Sequence, residues 1–157
     1  QRQMCIRDSS IPELKVLLAG NGPLESTLRE QISGNHAEGY IRLLGYRTDL
    51  ERVVPAADVI VSCSHREGLG LNLIEGMLCG KTVIAVENRG HRELVEDGVT
   101  GYLIPAGDSR ALAEVLVKLY KSGARQRLGQ AGYEKARLYT DQNVKRELKE
   151  LYGYEEN

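Results

Sequence analysis

The feature that most constrains the fold is a strand, turn and helix run together between residues 58 and 80. Asp58-Val59-Ile60-Val61-Ser62-Cys63 is a short apolar, β-rich stretch suited to a buried strand. A turn holding Gly68 and Gly70 follows at once, and from Leu71 to Cys79 the apolar residues recur at helical spacing up to Gly80, which is well placed as a C-cap. The same alternation runs from residue 14 to residue 104. Strands are expected at Leu14 to Ala19, Ile41 to Leu44, Val59 to Cys63, Thr82 to Val86 and Gly101 to Ile104. Helices are expected at Leu24 to Ser33, Asp49 to Ala56, Leu71 to Cys79 and Glu93 to Asp97. Strands separated by helices call for right-handed crossovers, so the predicted class is α/β with a parallel sheet and flanking helices.

Beyond residue 108 the chain reads as a helical tail, about 109–157. Asp108 or Ser109 can cap a helix whose Leu112, Val115, Leu116 and Leu119 form one stripe. A second helix runs from about Ala124 to Tyr139, and a third begins after Thr140-Asp141 with Val144, Leu148 and Leu151 on one face. Lys145-Arg146-Glu147 and Lys149-Glu150 give that helix a solvated face of alternating sign.

Composition sets the outer limits. With 157 residues and 41% hydrophobic content the chain can bury one core, which predicts a single domain from residue 10 to 157. A net charge of -1 with dispersed basic residues, and the lack of Phe and Trp, argues against a nucleic-acid partner. Cys5, Cys63 and Cys79 have no metal-ligand spacing and are expected to be reduced thiols in the cytoplasm, Cys63 and Cys79 as small buried apolar residues. No apolar run reaches the roughly 18 residues a membrane helix needs. Gln1 to Ser9 shows no period and resembles a translated sequencing adaptor, so natural sequence is expected to begin near Ser10, with the true N-terminus lost.

The turn after the third strand carries the chemistry. Glu67 and Glu75 stand eight positions apart around Gly68 and Gly70. At about 1.5 Å per residue they are at most roughly 12 Å apart, too far to work on one bond as a glycosidase pair but suited to opposite ends of one ligand. The first free amides of the helix, near Gly70 to Leu73, can meet an anionic diphosphate, and the glycines admit a close approach. A Cβ on Gly70 is expected to block the phosphate or to strain a positive dihedral without loss of the fold.

This segment resembles the E-x7-E signature of retaining glycosyltransferases with two Rossmann-like halves, family 4-like enzymes that include bacterial capsule, exopolysaccharide and lipid-linked glycan transferases. Further matching pieces are Leu18-Ala19-Gly20-Asn21-Gly22-Pro23, Leu43-Leu44-Gly45-Tyr46-Arg47, and Asn88-Arg89-Gly90-His91-Arg92-Glu93-Leu94 followed by Gly98 to Pro105. The resemblance implies the Rossmann-like, donor-binding C-terminal half of such an enzyme. It implies Glu67 at the donor sugar as the catalytic carboxylate. Backbone of Gly68, Leu69, Gly70, Leu71, Asn72 and Leu73 falls on sugar hydroxyls and diphosphate, and Glu75 on the ribose. Gly45, Tyr46, Arg47, Gly90 and His91 border the same donor site. The implied reaction moves a hexose or N-acetylhexosamine from a nucleotide-sugar, by resemblance a UDP-sugar, to an acceptor hydroxyl in surface polysaccharide or glycolipid synthesis. It needs no metal and no cofactor. The resemblance also implies an N-terminal acceptor-binding domain, the first strand and helix of this domain with an Arg and a Lys on the diphosphate, a sugar or lipid-linked acceptor, and a cytoplasmic enzyme associated with the membrane through that other domain. A nucleotide-sugar-binding module without activity and a sugar-nucleotide epimerase of similar fold are the alternatives.

Other residues carry two readings each. Gly20-x-Gly22 opens like a dinucleotide fingerprint, but Glu25 occupies its third glycine position, which favours a plain tight turn bordering the nucleotide site. Gly45-Tyr46-Arg47 ends a strand, where Tyr46 or Arg47 can stack on a base; equally, Arg47 can pair with Asp49 in a solvated turn. His65 and His91 flank the site without the spacing of a nucleophile relay or a metal site, and His36 lies in a polar loop.

Overall fold

The computed structural model describes residues 10–152. Its strands are β1 (Val16–Ala19), β2 (Ile41–Gly45), β3 (Val59–Ser62), β4 (Thr82–Val86) and β5 (Gly101–Ile104), and the helices between them are α1 (Glu25–Gly34), α2 (Leu50–Ala56), α3 (Leu71–Leu78) and α4 (Arg89–Leu94). Helices α5 (Ser109–Ser122), α6 (Arg125–Ala136) and α7 (Asp141–Tyr152) follow, with a 3-10 turn at Arg137–Tyr139 before the last. Every strand pair is parallel, as expected of a Rossmann-like α/β fold. The strands form two sets, β1-β2 and β3-β4-β5. β1 pairs with β2 in register Val16 to Ile41, and β3 with β4 in register Val59 to Thr82.

β4 is the centre of the packing, and all five of its residues are buried. Because side chains alternate along a strand, Val83 and Ala85 enter one cluster and Ile84 and Val86 another. The first cluster is completed by Leu73, Ile74 and Met77 of α3, with Leu94 and Val95. The second takes Tyr102 and Ile104 from β5, Leu119 from α5 and Leu128 from α6. Helix α3 stops as its sequence suggests: Gly80, at φ 68°, donates to Met77 O (2.8 Å) and Lys81 N to Gly76 O (3.0 Å), so the last carbonyls are satisfied. Asp108 caps α5 through Oδ1, which accepts from Arg110 N and Ala111 N.

Two expectations need correction. The helix placed at Glu93 to Asp97 lies earlier, at Arg89–Leu94, because Asn88 Oδ1 accepts the His91 amide (2.9 Å) and starts the turn there, while Val95 is already extended. Cys63 and Cys79 are exposed, not buried. Cys63 follows the last paired residue of β3, and Cys79 is the C-cap residue of α3, so both leave the packed surfaces. Among the described residues no helix is long and apolar enough to cross a membrane. Val144 of α7 is exposed, whereas the side chains of Leu148 and Leu151, and the whole of residues 1–9 with Cys5 and the adaptor-like run, lie outside the described residues.

Candidate functional site

The two carboxylates flank the entrance of α3, at the C-terminal end of β3. Gly70 is the residue before the helix, with φ 65° and ψ 58°, a left-handed conformation that glycine adopts without steric cost. Its carbonyl accepts from Leu73 N (2.9 Å) and Ile74 N (3.2 Å), and it has no side chain to cap the first amides of the helix. The N–H groups of Leu71 and Asn72 therefore stand at the positive end of the helix with no helical acceptor. The Leu73 amide, expected to be free, is instead bonded to Gly70 O, and the Leu73 side chain is fully buried in the core.

Burial sorts the rest of α3 by face. Leu73, Ile74 and Met77 point inward, while Leu71, Asn72 and Glu75 are exposed. Glu75 lies one turn beyond Leu71 and so shares the outward face with the Leu71 side chain. Glu67 is half-buried in the turn, and Gly68 and Leu69 are exposed beside it. Glu67 in the turn, the amides of Leu71 and Asn72 at the first turn of the helix and Glu75 one turn further on thus all belong to the entrance of α3, and none of their side chains is in the core.

A second turn packs against that entrance. Asn88 Nδ2 donates to Ser64 O (2.8 Å), and Gly90 packs on the backbone of the Glu67 turn so tightly that a Cβ there would sit 2.5 Å from Glu67 O and 2.8 Å from Gly68 O. His91 is completely buried, with Nδ1 2.6 Å from Val86 O and Nε2 3.3 Å from Ser62 Oγ. Gly90 and His91 thus support the turn from inside. A Cβ on Gly70 would also face inward, 3.3 Å from His91 Cδ2 and 3.4 Å from Leu94 Cδ1, so substitution there strains packing and backbone together, which argues against the expected indifference of the fold. Asn88 is the residue that sequence reasoning passed over. Its signal was the preference for Asn just before a helix.

Gly45, Tyr46 and Arg47 end β2. Tyr46 is largely exposed, whereas Arg47 forms a two-bond ion pair with Asp49, Nε to Oδ1 at 2.8 Å and NH2 to Oδ2 at 2.6 Å. The hydrogen bond from Arg47 holds the Asp49 carboxyl below its usual range and raises the guanidinium in return. The paired turn is the alternative the structure shows for Arg47. His36 and His65 are exposed. Among the described residues no group of three or more His, Cys, Asp or Glu gathers as a metal site. At the opposite ends of β3 and β4 a shallow depression of about 360 Å³ is lined by Asp58, Lys81, Thr82 and Arg125, but Asp58 pairs with Arg125 (2.9 Å) and Thr82 Oγ1 donates to Arg125 O (2.7 Å).

Residues 4–135 match the family model for glycosyl transferases group 1. The chain belongs to that family. It is 37% identical over 144 residues to EpsD of Bacillus subtilis (strain 168), which carries a provisional glycosyltransferase name; the match takes in 91% of this chain and 38% of EpsD. Among solved structures it resembles the pneumococcal O-GlcNAc transferase GtfA in complex with UDP and GlcNAc, with 28% identity and a TM-score of 0.84 over 94% of this chain and 30% of that one. It also resembles Anabaena Alr3699/HepE in complex with UDP-glucose, with 27% identity and a TM-score of 0.81 over 90% of this chain and 41% of that one. The chain therefore spans less than half the length of these family members.

Proposed function

We propose that this chain is the donor-binding half of a retaining glycosyltransferase that moves a hexose or N-acetylhexosamine from a UDP-sugar to an acceptor hydroxyl in surface polysaccharide or glycolipid synthesis. The observation that carries the reading is the edge at the start of α3, where two amides without helical acceptors lie between Glu67 and Glu75 in the chain. Those amides are suited to the diphosphate, Glu75 to the ribose hydroxyls and Glu67 to the sugar. The UDP, UDP-glucose and GlcNAc named with the solved relatives support a donor of this class.

Departure of a diphosphate from a sugar carbon leaves negative charge on one fragment and positive charge on the other. Helix-terminus amides stabilise the first, and the Glu67 carboxylate stabilises the second. A leaving phosphate oxygen takes the acceptor proton, so the reaction asks for no general base from this chain, and the proposal includes no metal or cofactor. The acceptor, the domain that holds it and the basic residues on the diphosphate belong in this reading to the remainder of a longer, cytoplasmic, membrane-associated enzyme.

Calorimetry of this chain with UDP tests the reading. Weak, saturable binding that Glu75→Ala abolishes is the expected result. The absence of heat with UDP, or binding indifferent to Glu75→Ala, overturns the assignment of the edge.

A further inference from the structure

We infer that His91 is a positioning residue: its buried imidazole sets the Gly70 turn and thereby the amides offered to the donor, without touching the donor itself. The inference rests on the donor reading of the α3 edge. It starts from the hydrogen bonds of the ring. Val86 O lies 2.6 Å from Nδ1, and a carbonyl only accepts, so Nδ1 carries the proton. Asn88 Nδ2, 3.0 Å from Nδ1, is then a neighbour and not a partner, because two N–H groups cannot bond each other. The Asn88 amide is oriented otherwise, with Oδ1 accepting from His91 N and Nδ2 donating to Ser64 O.

With Nδ1 donating to Val86 O, Nε2 lies 3.3 Å from the Ser62 hydroxyl, which can either donate or accept. Both nitrogens are thus engaged, and the side chain is 0% exposed, which leaves nothing on the ring for a ligand. What the ring does touch is telling. Val86 and Ser62 are the last residues of β4 and β3, so the imidazole ties two adjacent strand ends together. The inner side of Gly70 lies against the Cδ2 and Nε2 edge of the ring, where a Cβ would stand 3.3 and 3.6 Å away. A leucine could fill the same space but would offer Val86 O no donor and Ser62 Oγ no partner. The residue type is therefore matched to holding a turn at a fixed height above two strand ends.

The amides of Leu73 and Ile74, both bonded to Gly70 O, report on that turn, and the amide of Lys81, bonded to Gly76 O, reports on the far end of the same helix. Hydrogen exchange on the unliganded chain and its UDP affinity would be measured for wild type, His91→Ala, His91→Asn and His91→Gln. In His91→Ala the Leu73 and Ile74 amides should exchange about tenfold faster with Lys81 unchanged, and UDP affinity should fall about tenfold. His91→Asn, whose amide can replace Nδ1 at Val86 O, should recover part of both effects, and His91→Gln less. Uniformly faster exchange along α3 with unchanged UDP affinity means a general stabilising residue and overturns the inference, as do unchanged exchange and unchanged affinity in all three variants. If His91→Ala does not fold, His91→Asn against His91→Gln carries the same comparison. A wild-type chain that fails to bind UDP sinks the donor reading instead, while the exchange arm, which needs no ligand, still decides whether His91 holds the turn.

Discussion

Residues 16–57 and residues 59–136 are built from the same unit, a parallel strand followed by a helix, yet they pack differently. In the second region β4 is buried along its whole length and each of its faces has a cluster of side chains over it. In the first, Leu17 and Leu18, which point to opposite faces of β1, are both exposed, and neither α1 nor α2 buries a residue. Val61 of β3, the first strand of the second region, is exposed as well. Among the described residues, β1 and β3 each have a partner on one side only. The difference teaches that an apolar pattern is enough to place a strand or helix locally, whereas burial depends on what covers it. The proposed donor edge, with Glu67 and Glu75, lies in the packed region, whereas Tyr46 and Arg47 end β2 in the open one.

The sharpest way to break that comparison is a pair of truncations. Leu73→Ala or Met77→Ala should cost about 2–5 kcal/mol through lost burial and a cavity. Leu17→Ala should stay within about 0.5 kcal/mol. Denaturant unfolding of the three variants measures both, and similar costs for Leu17 and Leu73 would remove the distinction. Gly70→Val comes next. A branched side chain at a positive φ facing His91 and Leu94 should cost about 1–3 kcal/mol and weaken UDP as well; a variant that loses UDP with an unshifted melting curve would return Gly70 to a purely ligand-facing role.

Smaller effects separate the two carboxylates, neither of which belongs to the core. In a chain extended to the full enzyme, Glu75→Ala should raise the donor KM with little change in kcat, since ribose contacts are alike in ground and transition states. Glu67→Ala should lower kcat instead, because its contact strengthens as positive charge develops. Steady-state kinetics with a UDP-sugar panel decides, and identical KM effects for both would reduce Glu67 to a binding residue. The smallest effect is expected at Asp49→Asn. The folded Asp49 carboxyl is depressed by Arg47, so any stability it contributes is present above the unfolded carboxyl range and lost as pH falls through the folded value. Both groups are solvent-exposed, which predicts superimposable melting curves for wild type and variant at neutral pH.

Much of the fold is legible in the amino-acid sequence. β4 and β5 fall where their apolar runs do, since Gly80 and Lys81 precede one and Gly101 opens the other. The cap at Asp108 and the stop at Gly80 also follow from residue type. α4 was misplaced because its start depends on one side chain, Asn88, competing successfully for the His91 amide ahead of a more helix-like stretch. The candidate site divides in the same way, with Glu67, Gly70 and Glu75 visible from spacing and the supporting contacts of Asn88 and Gly90 invisible, because those join residues more than twenty positions apart.

The amino-acid sequence by itself determined the alternation of strand and helix, the glycine at the entrance of α3 and the family to which the chain belongs, because each depends on residue types at short separations. Tertiary structure alone decided which apolar residues are covered, that Cys63 and Cys79 face outward, that Leu73 is spent on the core, and that His91 turns its ring inward to Ser62 and Val86. Those outcomes depend on which surfaces meet. A histidine beside a glycine-rich turn reads the same whether it faces a ligand or a carbonyl at the end of a strand, and only the packing of β3, β4 and α4 around it chooses between them.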